Sequence, residues 1–155
     1  MSQADVKPLR EILHAACKRY LTVRAHGFEL QRGEPLRVTL EARILSLGAA
    51  RTWYQQRQPR CRSLDGIVPL DDPNRTCARC RLRAQCTPQL RLDLFVDAKP
   101  FRLLLAYTSA KNALLYEARL RQRGLAIEER LHRLTVIHRG SWGEVRFGLL
   151  GAEET

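Results

Sequence analysis

Apolar and polar residues alternate over 36–47, with Val38, Leu40, Ala42 and Ile44 at one parity and Arg37, Thr39, Glu41 and Arg43 at the other. A period of two predicts a half-buried strand. The same period returns at Leu90, Leu92, Leu94 and Val96 against Arg91, Asp93 and Phe95. Asp97-Ala98-Lys99-Pro100 predicts a turn, and Phe101, Leu103, Leu105 and Tyr107 a return strand, so 90–107 reads as a hairpin. Thr108 or Ser109 is placed to cap a helix reaching about Arg123, which Gly124 would end. Two more strands are expected over 127–138 and 142–150, joined by Arg139-Gly140-Ser141. Near the start, Ile12, Leu13, Ala16 and Tyr20 recur at helical spacing and predict a short amphipathic helix over 4–20.

Between these regular parts, 58–89 contains Pro59, Asp65-Gly66, Pro69, Asp71-Asp72-Pro73-Asn74 and Pro88, all turn formers, and predicts irregular chain. A loop of that length inside a compact domain needs a staple. Four of the five cysteines fall within it, Cys61, Cys77, Cys80 and Cys86, spaced C-x15-C-x2-C-x5-C. The two-residue gap of Cys77–Cys80 lets two thiolates bind one metal from a tight turn, and Cys61 and Cys86 can complete a tetrahedral zinc site. Arg62, Arg75, Arg79, Arg81 and Arg83 lie among them in sequence and would offset the negative charge of such a centre. Four thiolates fill the shell and leave no place for a catalytic water, so one structural Zn²⁺ per chain is expected. A thiol-redox pair fits less well, because no βαβ pattern frames Cys77 and Cys80. Cys17 stands apart and is expected to pack as a small hydrophobe in the N-terminal helix.

The order strand, long loop, strand, strand, helix, strand, strand is that of an OB-fold, a five-stranded barrel with its helix between the third and fourth strands. The expected fold class is therefore mainly β with helices (α+β), with the cysteine loop joining the first two strands. The 155 residues suit one domain. It divides into an N-terminal helix or extension, 1–32, and a core, 36–150, carrying the zinc insertion 58–89.

Charge narrows the partner. There are 27 Lys and Arg against 16 Asp and Glu, a net +11, and 23 of the basic residues are Arg. Between Arg51 and Arg91 nine Arg face three Asp. Guanidinium groups pair bidentately with phosphate and stack on bases, so nucleic acid is the expected partner ahead of an anionic protein or membrane surface. No apolar run approaches the roughly 20 residues a membrane helix needs, and the start lacks an apolar signal segment. A soluble cytoplasmic protein without membrane partners is the expectation.

Catalytic patterns are missing. His14, His26, His132 and His138 are scattered, and the last two are expected at the surface or rim. The carboxylates cluster only at Asp71-Asp72 and Glu128-Glu129, with no P-loop, nucleophile elbow or glycine-rich dinucleotide loop. Binding fits better. Single strands need a cationic groove and flat side chains for stacking. Trp53, Tyr54, Phe95 and Trp142 are the candidate stackers, and Arg43, Arg51, Arg57, Arg91, Arg102 and Arg146 the candidate phosphate contacts, with four of these arginines on solvent-side strand positions. Tyr107, Phe101 and Phe147 lie at apolar parity and are expected in the core.

The run Pro59-Arg60-Cys61-Arg62-Ser63-Leu64-Asp65-Gly66, followed by Cys77-Ala78-Arg79-Cys80, Cys86 and a hairpin ending in Thr108-Ser109, resembles a group of phage and mobile-element proteins. These are zinc-containing, OB-type single-stranded-DNA-binding-like proteins, and the resemblance spans about residues 36–150. It implies single-strand binding, with DNA favoured over RNA, in replication, recombination or element maintenance. The competing expectation is a zinc-stabilised structural subunit of a larger mobile-element or RNA-guided defence complex.

Overall fold

The computed structural model describes residues 19–70, 72 and 74–151, which form eight strands and one α-helix. In chain order they are β1 (Thr22–Arg24), β2 (Gly27–Glu29), β3 (Thr39–Gln55), β4 (Gln58–Ser63), β5 (Thr87–Val96), β6 (Lys99–Leu105), α1 (Tyr107–Gln122), β7 (Leu131–Arg139) and β8 (Trp142–Leu149). The described residues are thus mainly β with one α-helix. β1 and β2 form a small hairpin, and the large antiparallel sheet runs β6-β5-β3-β7-β8, with β4 pairing β3 alongside β5.

β3 organises the sheet. Its first half pairs β7 from Thr39↔Thr135 to Arg43↔Leu131, and its second half is held between β4 and β5, so that Thr52 opposes both Arg62 and Thr87. The change of partners falls near a bulge: Ile44 opposes Leu94, but the next rung joins Ser46 to Asp93, leaving Leu45 extra. A bulge bends its strand and increases the local twist. The expected alternation holds from Thr39, with Leu40, Ala42 and Ile44 buried and Thr39, Glu41 and Arg43 exposed, but Val38, expected on the buried side, precedes the strand and is exposed. The core joins these residues to Leu92, Leu94, Leu103, Leu134 and Val145, under Ala113, Tyr116 and Leu120 of α1. Fully burying each large apolar side chain contributes roughly 1.5–3 kcal/mol.

Several expectations change. Residues 58–63, read as irregular chain, form β4, because a two-residue turn with Gln56 (φ 53°) and Arg57 (φ 64°) folds the chain back on β3. Residues 22–29, left outside the regular core, form the β1–β2 hairpin. The helix expected at the start lies outside the described residues, Cys17 included, except for Arg19 and Tyr20. Tyr20 is in a parallel bridge with Arg102: Arg102 N–H donates to Arg19 O (2.8 Å) and Leu21 N–H to Arg102 O (2.9 Å). This covers part of the edge that β6 would otherwise expose. Helix α1 begins one residue before the expected caps, after Ala106, with no side-chain cap. Ser109 Oγ instead accepts Val145 N–H (2.9 Å), tying the helix to β8. Gly124 ends the helix as expected, at φ +73°.

Candidate nucleic-acid interface

The expected contact residues fall into separate neighbourhoods. The first is the arm made by the second half of β3 with β4. There Trp53 opposes Cys61, Tyr54 is exposed, and Arg57 stands in the turn at the tip. Gln89 Nε2 donates to Tyr54 Oη (3.3 Å), and Arg51 lies between Ser63 on β4 and Pro88 on β5.

The cysteine loop joins this arm to β5. Its entry is built on Asp65, whose Oδ1 accepts the Ser63 hydroxyl (3.0 Å) and the N–H groups of Ile67 (2.8 Å) and Val68 (2.9 Å). Although burial works the other way, these hydrogen bonds hold the Asp65 carboxyl below its ordinary value. Gly66 at φ +76° makes the turn possible. Cys77 to Arg79 is one 3₁₀ turn and Arg83 to Gln85 another. Between them, Leu82 N–H donates to Cys80 Sγ (3.4 Å) and the Cys86 thiol donates to Leu82 O (3.5 Å). Burial pushes the Cys86 thiol above its usual pKa, and Cys80 and Cys77 push it further while Arg51 and Arg83 oppose them. Three sulfurs therefore share one neighbourhood. Cys61 is on β4, and because Thr52 pairs with both β4 and β5, β3 stands between Cys61 and Cys86. Among the described residues no group of three or more ligating side chains closes into a metal-binding arrangement.

A second neighbourhood is the outer face of the sheet, where Arg43 opposes half-buried Phe95 on one side and exposed Leu131 on the other. A third departs from expectation. Arg91 and Arg102 were placed on the solvent side by parity, but the Arg102 side chain is 3% exposed and Arg91 is 13% exposed. Both grip Asp93, through Arg102 Nε to Oδ1 (3.2 Å) and Arg91 Nε to Oδ2 (3.1 Å), and Ser46 donates to Oδ2 (2.8 Å). The outer parity is correct. What alternation could not report is that Asp93 on the same face pairs with both arginines and that the Leu64 carbonyl accepts from Arg91 Nη1. Arg62 also stacks over the Tyr20 ring (4.8 Å).

Trp142 and Arg146 lie on β8. Trp142 is 46% exposed and opposes Arg139 at the β7–β8 turn. It lines a cleft of about 580 Å³ with Tyr107, which is 76% exposed and not in the core as expected. Tyr107 has φ +49°, a left-handed conformation that turns the ring outward at the start of α1. Because β7 pairs the first half of β3 and the cysteine loop adjoins its end, Trp142 and Trp53 stand at opposite ends of that strand. Arg146 is exposed but its Nε bonds Glu144 (2.9 Å), which Arg139 (3.2 Å) and Asn112 Nδ2 (3.0 Å) also reach.

His132, expected at the rim, is fully buried. Its Nε2 lies 2.7 Å from Ile127 O, which can only accept, so Nε2 carries the proton and Nδ1 accepts from Tyr116 Oη–H (2.5 Å). Period-two parity places His132 with Leu134 and Val136, a signal that was present in the sequence. His138 stacks on His26 with ring centroids 4.0 Å apart.

Arg119, Arg123 and Arg133, none of them anticipated, surround a further groove with Arg146. The sequence signal for two of them was the i,i+4 spacing of Arg119 and Arg123 beside Tyr116 and Leu120. No described helix is long and apolar enough to cross a membrane. No protein-family model, curated protein or solved structure matches this chain.

Proposed function

We propose that the protein binds single-stranded nucleic acid, DNA in the first place, without catalysing a reaction on it. The observation that carries this reading is the concentration of charge beside aromatic surface on the β3–β4 arm and its loop. Arg57, Arg60, Arg75, Arg79, Arg81 and Arg83 are all exposed there, with Tyr54 exposed and Trp53 half-buried among them. A cationic track with flat side chains is what single strands require. The strand order β6-β5-β3-β7-β8, with the helix between β6 and β7, supports an OB-type barrel, in which the connection between the first two strands borders the oligonucleotide groove.

The same reading assigns a structural Zn²⁺ to Cys61, Cys77, Cys80 and Cys86. Its support is the C-x2-C turn, the shared neighbourhood of three sulfurs, and the Leu82 N–H aimed at Cys80 Sγ. Bound there, the ion would neutralise thiolate charge and fasten the arginine-bearing loop to the arm.

Anisotropy of the isolated protein with dT, rU and duplex oligonucleotides over a salt series tests the function. The single strand should bind more tightly than duplex, whose paired bases cannot reach the aromatics. Trp53→Ala should cost about 1–3 kcal/mol with an unchanged salt slope. Arg57→Ala should lower the logarithmic salt slope by about 0.7. Equal binding of duplex and single strand, with Trp53→Ala without effect, would reject this reading.

A further inference from the structure

Helix α1 and strands β7 and β8 enclose a groove of about 670 Å³ on a different part of the molecule from the β3–β4 arm. Its floor is apolar, formed by Ile137, Leu149 and Phe147, and the Phe147 ring stacks on buried Tyr116 with centroids 5.7 Å apart. Its rim is cationic. Arg119 and Arg123 come from successive turns of α1, Arg133 from β7 and Arg146 from β8, and all four are exposed.

Three of the four rim charges lack, among the described residues, the ion-pair partners that Arg121 and Arg146 have. Arg121 on the same helix pairs with Glu117 (2.9 Å), and Arg146 is held by Glu144. Among the described residues Arg119, Arg123 and Arg133 form no salt bridge, although Glu41 is the register partner of Arg133 across β3 and β7. Like charges at i,i+4 on a helix destabilise it, and Arg119 and Arg123 are such a pair. Three guanidinium groups without an ion-pair partner among the described residues, two from α1 and one from β7, border an apolar floor in a self-repelling arrangement that a bound anion would relieve.

We infer that this groove binds a nucleotide unit, its base against Phe147 and its phosphate between Arg119, Arg123 and Arg133. The chemistry supports this choice. All the rim cations are planar guanidinium groups suited to bidentate phosphate pairing, and the floor offers an aromatic ring rather than polar groups. The volume suits one or two nucleotides. The inference rests on the proposed single-strand binding and extends it: the strand would contact α1 and β8 as well as the arm.

The test compares two double variants, Arg119→Glu/Arg123→Glu in the groove and Arg57→Glu/Arg60→Glu on the arm. All four positions are exposed, and circular dichroism confirms folding. With labelled dT the groove variant should bind at least tenfold more weakly, and its salt slope should fall by about 1.4, two phosphate contacts' worth. Titration of the wild type with dTMP should move the methyl resonances of Ile137 and Leu149, and thymidine should move them less. If the groove variant binds dT like the wild type while the arm variant does not, the groove inference fails and the proposed function stands. If dTMP shifts the groove signals but no oligonucleotide binds, the groove stands and the proposed function fails. Shifts produced by an acidic Leu/Glu peptide and not by dTMP would overturn the inference in favour of a protein partner.

Discussion

The guanidinium of Arg91 occupies the space into which a side chain on Gly48 would project. The two residues oppose each other across β3 and β5, and a Cβ on Gly48 would lie 2.7 Å from Arg91 Nη2. From there Arg91 reaches Asp93 with Nε and the Leu64 carbonyl with Nη1, fastening the start of the cysteine loop to the sheet. The missing side chain on Gly48 therefore has a packing reason.

Gly48→Ala should displace Arg91 and leave the Leu64 carbonyl without this donor. The expected loss is about 1–3 kcal/mol, the range for an unsatisfied buried polar group. Gly148→Ala is the control, since nothing lies within 4 Å of its Cβ, and it should change stability by no more than about 0.5 kcal/mol. Urea unfolding reads both. Equal midpoints would mean that Arg91 moves aside without loss.

Tyr116→Phe should destabilise the protein by about 1–2 kcal/mol, because it removes the donor to buried His132 Nδ1. Burial pushes the Tyr116 hydroxyl up to about 12, so it remains a donor throughout the neutral range. Burial also holds His132 below its ordinary 6.5. The folded state then resists a proton that the unfolded state accepts, so stability is full above pH 6.5 and falls as the pH drops below it. Melting temperatures from pH 8 to 5 should show this decline, and an unchanged melting temperature in Tyr116→Phe would exclude the hydrogen bond as a support.

Glu144 should make a second, more acidic contribution. Its hydrogen bonds to Arg146, then Asn112, and to Arg139 against the opposing effect of burial, hold its carboxyl at about 2 rather than 4.5. A depressed carboxylate stabilises the fold above its unfolded value, and that stability is lost as the pH falls from 4.5 toward 2. Glu144→Gln should flatten the melting-temperature profile across this window. A profile that stays as steep would assign the acid sensitivity to other carboxylates.

Purified protein should carry about one zinc per chain, and Cys80→Ser should lose it. Structural zinc sites contribute on the order of 10 kcal/mol and are linked to folding, so the variant should also melt early or aggregate. Full zinc retention with an unchanged melting curve would remove the four-cysteine assignment.

The regular elements were legible where burial follows a simple period. Leu40, Ala42 and Ile44, the β5–β6 hairpin, the helix ending at Gly124 and the last two strands follow from local pattern, because one face of each meets the same core, although β7 starts only at Leu131 and Ile127 to Glu129, expected in that strand, form a 3₁₀ turn. β4 was hidden because Gln58 to Ser63 has no apolar alternation; β3 alone recruits it, through a turn whose Gln56 and Arg57 carry no glycine signal. Tyr107 shares parity with the core residues of β6, yet the backbone turns at the start of α1 and carries its ring into solvent.

Composition and spacing by themselves determined the +11 charge and the grouping of four cysteines in one stretch, since these depend only on which residues stand where along the chain. Which arginines face solvent was decided by tertiary structure. Arg43 and Arg102 both point away from the core by alternation, but Arg43 is exposed whereas Arg102 is buried in an ion pair with Asp93. Arg119, Arg123 and Arg133 are distant in sequence from Arg146 and meet it only because α1 packs on β8 and β7 pairs with β8. Parity along a strand reports direction relative to that strand; burial depends on what the rest of the chain brings to cover it.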